Sequence, residues 1–323
     1  MTSALRPRGP LAALPFHLGD ELVTSLRDAI ELEAPALFDD VVGWAHSLIT
    51  HRDHPRSTVD AALQSMLESL DALVPRASIM RAHEMLDAAR ATLVRSDPQQ
   101  RSCEIDVSCP TGAVAARILR LLLEGDEPGA SRALLRCIAG GTPQSQLYAE
   151  IITPLLNETG RLWECDCIGI SEEHAISAAI ERFMSHIAEL QSVRPFREFA
   201  VVSASLGSSA HEVGARMLAD TFALSGWHAT YLGGNIPPVD LLDYVDRVSV
   251  DVLALSATLG RDIMPVRNLI AALVDRPVAP LVLVGGRAFG LDRSLWQRIG
   301  ADGYAATPLG GVDLANGLVH QTA

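Results

Sequence analysis

The chain is 323 residues long and 48% hydrophobic, with 20% charged and 5% aromatic residues. At ~100–200 residues per domain this length points to two or three domains, and the apolar content excludes a largely disordered chain. The formal net charge of −13 argues against direct binding to a nucleic-acid backbone, and no apolar run approaches the ~20 residues needed to span a bilayer. The stretch Leu11 to Phe16, behind Arg6 and Arg8, is too short and Pro-rich for a signal peptide, so a cytoplasmic location is expected. Five cysteines, an odd number, form no secreted framework, and Cys165-Asp-Cys167 lacks the second pair a zinc site needs; they read as incidental thiols.

In chain order, residues 1–18 are rich in Pro, Gly and Arg and read as a flexible arm. A helical region is expected over 19–98, where Leu22, Leu26, Ile30 and Leu37, then Leu63, Met66, Leu67, Leu70 and Leu73, recur at helical spacing. Ser57-Thr-Val-Asp60 has the form of a capping box behind Pro55. After a linker near 96–111, four amphipathic helices are predicted at about 112–124, 128–138, 144–163 and 171–190, a compact bundle occupying 110–192. From 196 to 323 the pattern becomes short buried strands alternating with helices. Strands are expected at Phe199–Ala204, Trp227–Tyr231, Val252–Ser256, Leu281–Val284 and near Tyr304, which predicts a doubly wound parallel sheet. In such sheets, ligands bind at the carboxyl ends of the strands, beside the topological switch point.

Four polar or glycine motifs fall at those strand ends: Ser209-Ala-His211-Glu-Val-Gly214, Ser256-Ala-Thr258, Gly285-Gly286-Arg287 and Thr307-Pro-Leu-Gly310-Gly311. Singly each has a plain structural explanation. Histidines sit in loops, Gly-Gly makes turns, and hydroxyl side chains cap helices. Their order is more specific. It resembles the cobalamin-binding domain shared by methionine synthase, corrinoid methyl carriers and the light-sensing CarH regulators. The resemblance implies that His211 is the lower axial cobalt ligand. It implies also that Gly214 lets the next helix approach closely, that Ser256 and Thr258 hydrogen-bond the nucleotide tail, and that Gly285 and Gly286, with Thr307 and Gly310, line its path. The family's acidic residue two positions before the histidine is replaced here by Ser209, a weaker acceptor of the histidine N–H.

Trp163, Glu173 and His174 form a second match, W-x9-E-H. It resembles the four-helix bundle that caps the corrin in CarH and in AerR-type antirepressors, where the Trp shields the upper face and the Glu-His pair closes over an adenosyl group. Alone, Trp163 would read as a core aromatic and Glu173-His174 as a solvated helix start. The CarH pattern has a histidine directly after the tryptophan. This chain has Glu164, a harder, oxygen-type donor, so a bis-histidine product is not expected. His51-Arg-Asp-His54 reads as a solvated turn.

The implied architecture is a multidomain α plus α/β chain: an N-terminal helical region, a four-helix bundle cap, and a flavodoxin- or Rossmann-like sheet domain. The implied cofactor is adenosylcobalamin. The expected function is a light or B12 sensor, regulatory rather than catalytic. The alternative is a methyl-carrying corrinoid protein of a methyltransferase system. CarH carries a DNA-binding domain of the MerR type. Here residues 1–98 hold nine Arg against fourteen Asp plus Glu, the wrong sign for a DNA reader, so the expected output is a protein partner, with neither nucleic acid nor membrane as target. A resemblance to the photocobilin group, which adds a bilin such as biliverdin, and homo-oligomerisation both stay open at this level.

Overall fold

The computed structural model describes residues 14–75, 79–95, 102–190, 198–207, 211–274, 276 and 279–322. The chain divides into two compact units, Met1–Arg101 with Glu164–Asp166, and Ser102–Trp163 with Cys167–Ala323.

The first unit contains α1 (Leu18–Glu31), α2 (Pro35–Thr50), α3 (Ser57–Leu73) and α4 (Met80–Arg95). Residues 1–13 of the expected arm lie outside the described residues, whereas Pro15–His17 form a 3-10 turn and Leu18 is fully buried. Leu22, Leu26, Phe38, Leu48, Leu63 and Leu86 fill the core. The capping box expected at Ser57–Asp60 does not form. Arg56 takes the cap position without a side-chain bond, Ser57 is already helical, and Asp60 instead accepts from Arg90 of α4 at 2.6 Å. A charged partner on a neighbouring helix outcompetes a local backbone bond. The turn at His51–His54 terminates α2. Asp53 takes a left-handed φ of 59°, the His54 N–H reaches the Ile49 carbonyl at 3.1 Å, and His51 Nδ1 lies 2.8 Å from the Ser47 carbonyl. Arg52 donates to the carbonyls of Leu48 (3.2 Å) and of the buried Glu164 (3.0 Å).

The second unit begins with a helical bundle: α5 (Pro110–Leu123), α6 (Glu127–Ala139), α7 (Gln144–Leu147), a π-helical turn (Tyr148–Ile152), α8 (Thr153–Glu164) and α9 (Ile170–Leu190). Sequence signals set its starts. The Cys109 sulfur accepts from Gly112 N–H with Pro110 behind it, and Asp126 Oδ1 accepts from Gly129 N–H at 2.9 Å. The helix expected over 144–163 is one continuous rod interrupted by the π turn, a local irregularity that hydrophobic periodicity does not encode. Ile118, Leu134, Ile151, Leu155, Ile180 and Phe183 are at its core.

The sheet follows. It comprises β1 (Ala200–Ser205), β2 (His228–Gly233), β3 (Val252–Ser256), β4 (Leu281–Gly285) and β5 (Gly303–Ala305), all parallel, in the order β2-β1-β3-β4-β5. Helices α10 (Val213–Leu224), α11 (Pro238–Val248), α12 (Ile263–Leu273), α13 (Arg287–Leu291), α14 (Leu295–Arg298) and α15 (Pro308–Thr322) connect and flank the strands. β3 is buried throughout while β2 at the edge is half-buried, which is why continuous apolar runs mark the central strands. Trp227, expected in the second strand, precedes it. Its buried ring packs edge-on to Phe222, and its indole N–H donates to Asn316 Oδ1 at 3.2 Å. The chain leaves β1 to one side for β2 and returns to the other for β3, so the switch point lies between β1 and β3.

Bundle and sheet domain share one packed face. Val213 and Met217 of α10 join the bundle core. One position further round the same helix face, Tyr148 of the π turn donates to Asp220 at 2.6 Å, and Arg216 donates to Ser185 of α9 at 2.7 Å. Burial raises the Asp220 pKa above 3.8, opposed by the Tyr148 bond and Arg216. For an acid shifted this way, the ionised folded form is disfavoured, so the penalty sets in as pH rises through 3.8 and is complete above the raised value. Tyr148→Phe should therefore cost about 1–3 kcal/mol at neutral pH, since it strips a hydrogen bond from a charged, half-buried group. Asp220→Asn should cost less, because the amide oxygen still accepts from the phenol without the charge, and its difference from wild type should shrink toward pH 4. Denaturant titrations at neutral and acidic pH measure both; equal losses would show that the charge is immaterial.

Candidate functional site

The carboxyl ends of β1, β3 and β4 stand level, with Ser205 paired to Ser256 and Ser256 to Gly285. The segments leaving these strands therefore meet beside the switch point, and they carry three of the four sequence motifs. Ser203 Oγ, fully buried, donates to the Ala215 carbonyl at 2.8 Å, and Ser205 Oγ reaches the His211 carbonyl at 3.4 Å, so β1 anchors the start of α10. A Cβ on Gly214 would lie 2.9 Å from Ser256 Oγ, so only glycine allows α10 to lie this close to the end of β3.

His211 stands where α10 begins, exposed to solvent yet crowded by the surrounding segments. Its pKa is lowered from 6.5, first by loss of hydration, then by Arg261, with Glu173 pulling the other way and Arg287 adding to the depression. The neutral imidazole, the form that binds metals, is thus favoured. Glu173 of the bundle thus acts electrostatically on the histidine of the sheet domain. Trp163 and Glu173 lie at the same end of the bundle, because α8 ends at Glu164 and α9 starts at Ile170. Trp163 is half-buried against the bundle core. Glu173 is held by Ser177, whose hydroxyl donates to Oε1 at 2.8 Å, and by His174, which is largely exposed.

The remaining sequence candidates divide. Ser256 is buried and Thr258 half-buried at the β3 end. Thr307 caps α15, its hydroxyl accepting from Gly310 N–H at 3.1 Å, so the structural explanation of that motif holds as drawn. Gly285 and Gly286 face protein backbone: a Cβ would sit 2.8 Å from the Ala305 carbonyl oxygen and 2.3 Å from that of Ala257. Ser209 lies outside the described residues. Arg261 and the buried Asp262 had no sequence signal beyond following a strand. The donor set fits a corrinoid: among the described residues no group of side chains could hold a bare metal ion, but one imidazole suits a metal whose other ligands come from a macrocycle, and it stands at the switch point, where sheets of this kind bind ligands.

Comparison with known proteins gives the same answer. Residues 200–313 match the B12 binding domain, and residues 114–188 match a second model of the same description. The chain carries B12 binding domains. This supports a cobalamin-binding family. Among curated relatives, the HTH-type transcriptional repressor CarH of Myxococcus xanthus is 26% identical over 54% of this chain and 58% of its own. A corrinoid protein of Desulfitobacterium hafniense is 28% identical over 37% of this chain and 55% of its own. The chain thus spans a little over half the length of these relatives. Among solved structures, the monomethylamine corrinoid protein of Methanosarcina barkeri superposes with a TM-score of 0.54 at 15% identity, over 64% of this chain and 98% of its own, a likeness of fold. The two B12-binding matches cover the bundle and the sheet, the parts that carry Trp163, Glu173 and His211. Among the described residues, no helix is long and apolar enough to cross a membrane.

Proposed function

We propose that this protein is an adenosylcobalamin-binding sensor of light or of B12 that signals to a protein partner. The observation that carries the reading is the placement of His211 at the switch point, before a helix whose Val213 and Met217 pack into the same bundle that bears Trp163 and Glu173 at one end. Bound adenosylcobalamin would supply a photolabile cobalt–carbon bond. On the protein side, His211 would ligate the lower face, Trp163 would cover the upper face, and Glu173, held by Ser177, with His174 would close over the adenosyl group. The bundle end bearing Trp163 and Glu173 would pack on that group when it is bound and lack this contact without it, a packing difference of the kind that switches use. The acidic charge of the chain favours a protein over DNA as the receiver.

The second reading, a methyl-carrying corrinoid protein, is favoured by the fold likeness to the monomethylamine corrinoid protein and by the corrinoid relative. It needs no adenosyl pocket. One measurement separates the two: absorption spectra of the protein loaded with adenosylcobalamin, before and after green light. A light-dependent spectral change with altered hydrodynamic size or partner binding supports the sensor. A protein that retains methylcobalamin and discriminates against the adenosyl form supports the carrier. Repeating the measurement with biliverdin tests the photocobilin resemblance, since bilin bands lie apart from corrinoid bands. Trp163→Ala should weaken retention of adenosylcobalamin by about tenfold more than that of hydroxocobalamin, as expected for loss of an aromatic contact of ~1–2 kcal/mol. Equal losses would reduce Trp163 to core packing.

A further inference from the structure

The His51-Arg-Asp-His54 turn has no place in the corrinoid reading. Asp53 and His54 are exposed, as a solvated turn requires, but the Arg52 side chain is only 13% exposed. Two helices end in the same way, and Arg52 stands at both ends. α2 closes with Asp53 at φ 59° and the His54 N–H on the Ile49 carbonyl at 3.1 Å; α8 closes with Asp166 at φ 58° and the Cys167 N–H on the Leu162 carbonyl at 2.8 Å. In each, a left-handed residue turns the chain so that the next N–H returns to the helix, a closure that glycine adopts more readily than aspartate.

Arg52 holds the two closures together. Its Nη1 donates to the carbonyl of Leu48 in α2 at 3.2 Å and to that of Glu164, the last residue of α8, at 3.0 Å, while its Nε lies 3.5 Å from Asp166 Oδ1. The last carbonyls of a helix lack intrahelical donors and carry a partial negative charge, so a guanidinium between two helix ends, with a carboxylate beside it, is bonded on several sides at once. The turn Glu164–Asp166 accordingly packs with the first unit, although the rest of α8 and all of α9 belong to the second.

Trp163 is the residue directly before this turn. Its neighbour on one side, Leu162, gives its carbonyl to the Cys167 N–H, and its neighbour on the other, Glu164, gives its carbonyl to Arg52. The backbone is therefore held on both sides of the tryptophan, which fixes the direction of its Cα–Cβ bond. A long, flat side chain magnifies any rotation of the backbone that carries it, so the position of the indole depends on how firmly the end of α8 is held.

We infer that Arg52 is a positioning residue for Trp163: by fixing the end of α8 it sets the indole where an upper ligand of cobalamin would meet it, and it ties the selectivity of the cap to a residue of the first unit. This rests on the reading of Trp163 as the cover of the upper face. The test has two parts, both on the full chain. In the protein without cobalamin, Arg52→Ala should speed hydrogen exchange of the Cys167 amide by about tenfold, the loss expected for charged hydrogen bonds, and leave the amides of Leu253 and Leu255 in β3 unchanged. In the loaded protein, Arg52→Ala should weaken retention of adenosylcobalamin about fivefold to tenfold more than that of hydroxocobalamin. Arg52→Lys, which keeps the charge and a donor, should recover part of both losses. In a Trp163→Ala background, Arg52→Ala should change the ratio of the two cobalamins by less than about twofold, because the side chain it positions is gone. Unchanged exchange at Cys167 would overturn the grip on α8. Equal losses for the two cobalamins, or a ratio that still shifts in the Trp163→Ala background, would overturn the action through Trp163. A Trp163→Ala protein that itself loses both cobalamins equally would instead overturn the upper-face reading, whatever the exchange at Cys167 shows.

Discussion

Replacing His211 with alanine is expected to convert bound cobalamin to a base-off spectrum and to weaken its binding on the order of a hundredfold, about 2.7 kcal/mol. The segment after β1 brings this imidazole to the switch point, and its lowered pKa keeps it neutral and ready to bind under conditions where an ordinary histidine is partly protonated. The side chain is exposed and the core around it is built by others, so apo-protein unfolding should be nearly unchanged. That combination separates a ligand from a structural histidine. A variant that retains the His-on spectrum would remove His211 from the metal, and one that unfolds would make it a packing residue.

Gly286→Ala is expected to be the most disruptive single substitution in the sheet domain, costing about 3 kcal/mol or more and abolishing corrinoid binding with it. Two effects add. The residue sits at φ 94°, where a side chain is strained, and the new Cβ would lie 2.3 Å from the Ala257 carbonyl oxygen, a backbone atom that cannot rotate away. The hydrogen bonds from Ala257 N–H to Gly285 and from Ala288 N–H to Ala257 would have to open, and Arg287 would move with them. Gly43→Ala is the control. It lies within α2, where an added Cβ meets nothing within 4 Å, so a gain of about 0.5–1 kcal/mol from helix propensity is expected. Denaturant midpoints for the two variants measure the contrast. A Gly286→Ala protein of wild-type stability would mean that the turn relaxes freely, and the glycine's importance would then have to come from a ligand.

The resemblance had given Gly285 and Gly286 the role of leaving room for a nucleotide tail. In the folded chain, the groups that exclude a Cβ at these positions belong to the protein itself, the carbonyls of Ala305 and Ala257. Gly214 is different: the close approach inferred from the motif is the one observed, against Ser256. Thr307 caps α15, the structural role open to any hydroxyl after a strand.

What the sequence determined by itself was the order and type of the elements and the positions of the chemistry along the chain. Apolar runs of strand length alternating with amphipathic stretches require a covered parallel sheet, and Pro110, Asp126 and Pro143 punctuate the bundle, because burial and capping are local demands that each segment must meet alone. The motif spacing likewise placed His211, Trp163 and Glu173 on elements that could meet. Tertiary structure decided what those residues face. The π turn that aims Tyr148 at Asp220, the exchange of a local cap for an ion pair at Asp60, and the electrostatic influence of Arg261, Arg287 and Glu173 on His211 all depend on partners far away in sequence. Charge and hydrogen-bond partners are chosen among whatever groups packing brings within a few ångströms, and a pattern read along one chain carries no record of that choice.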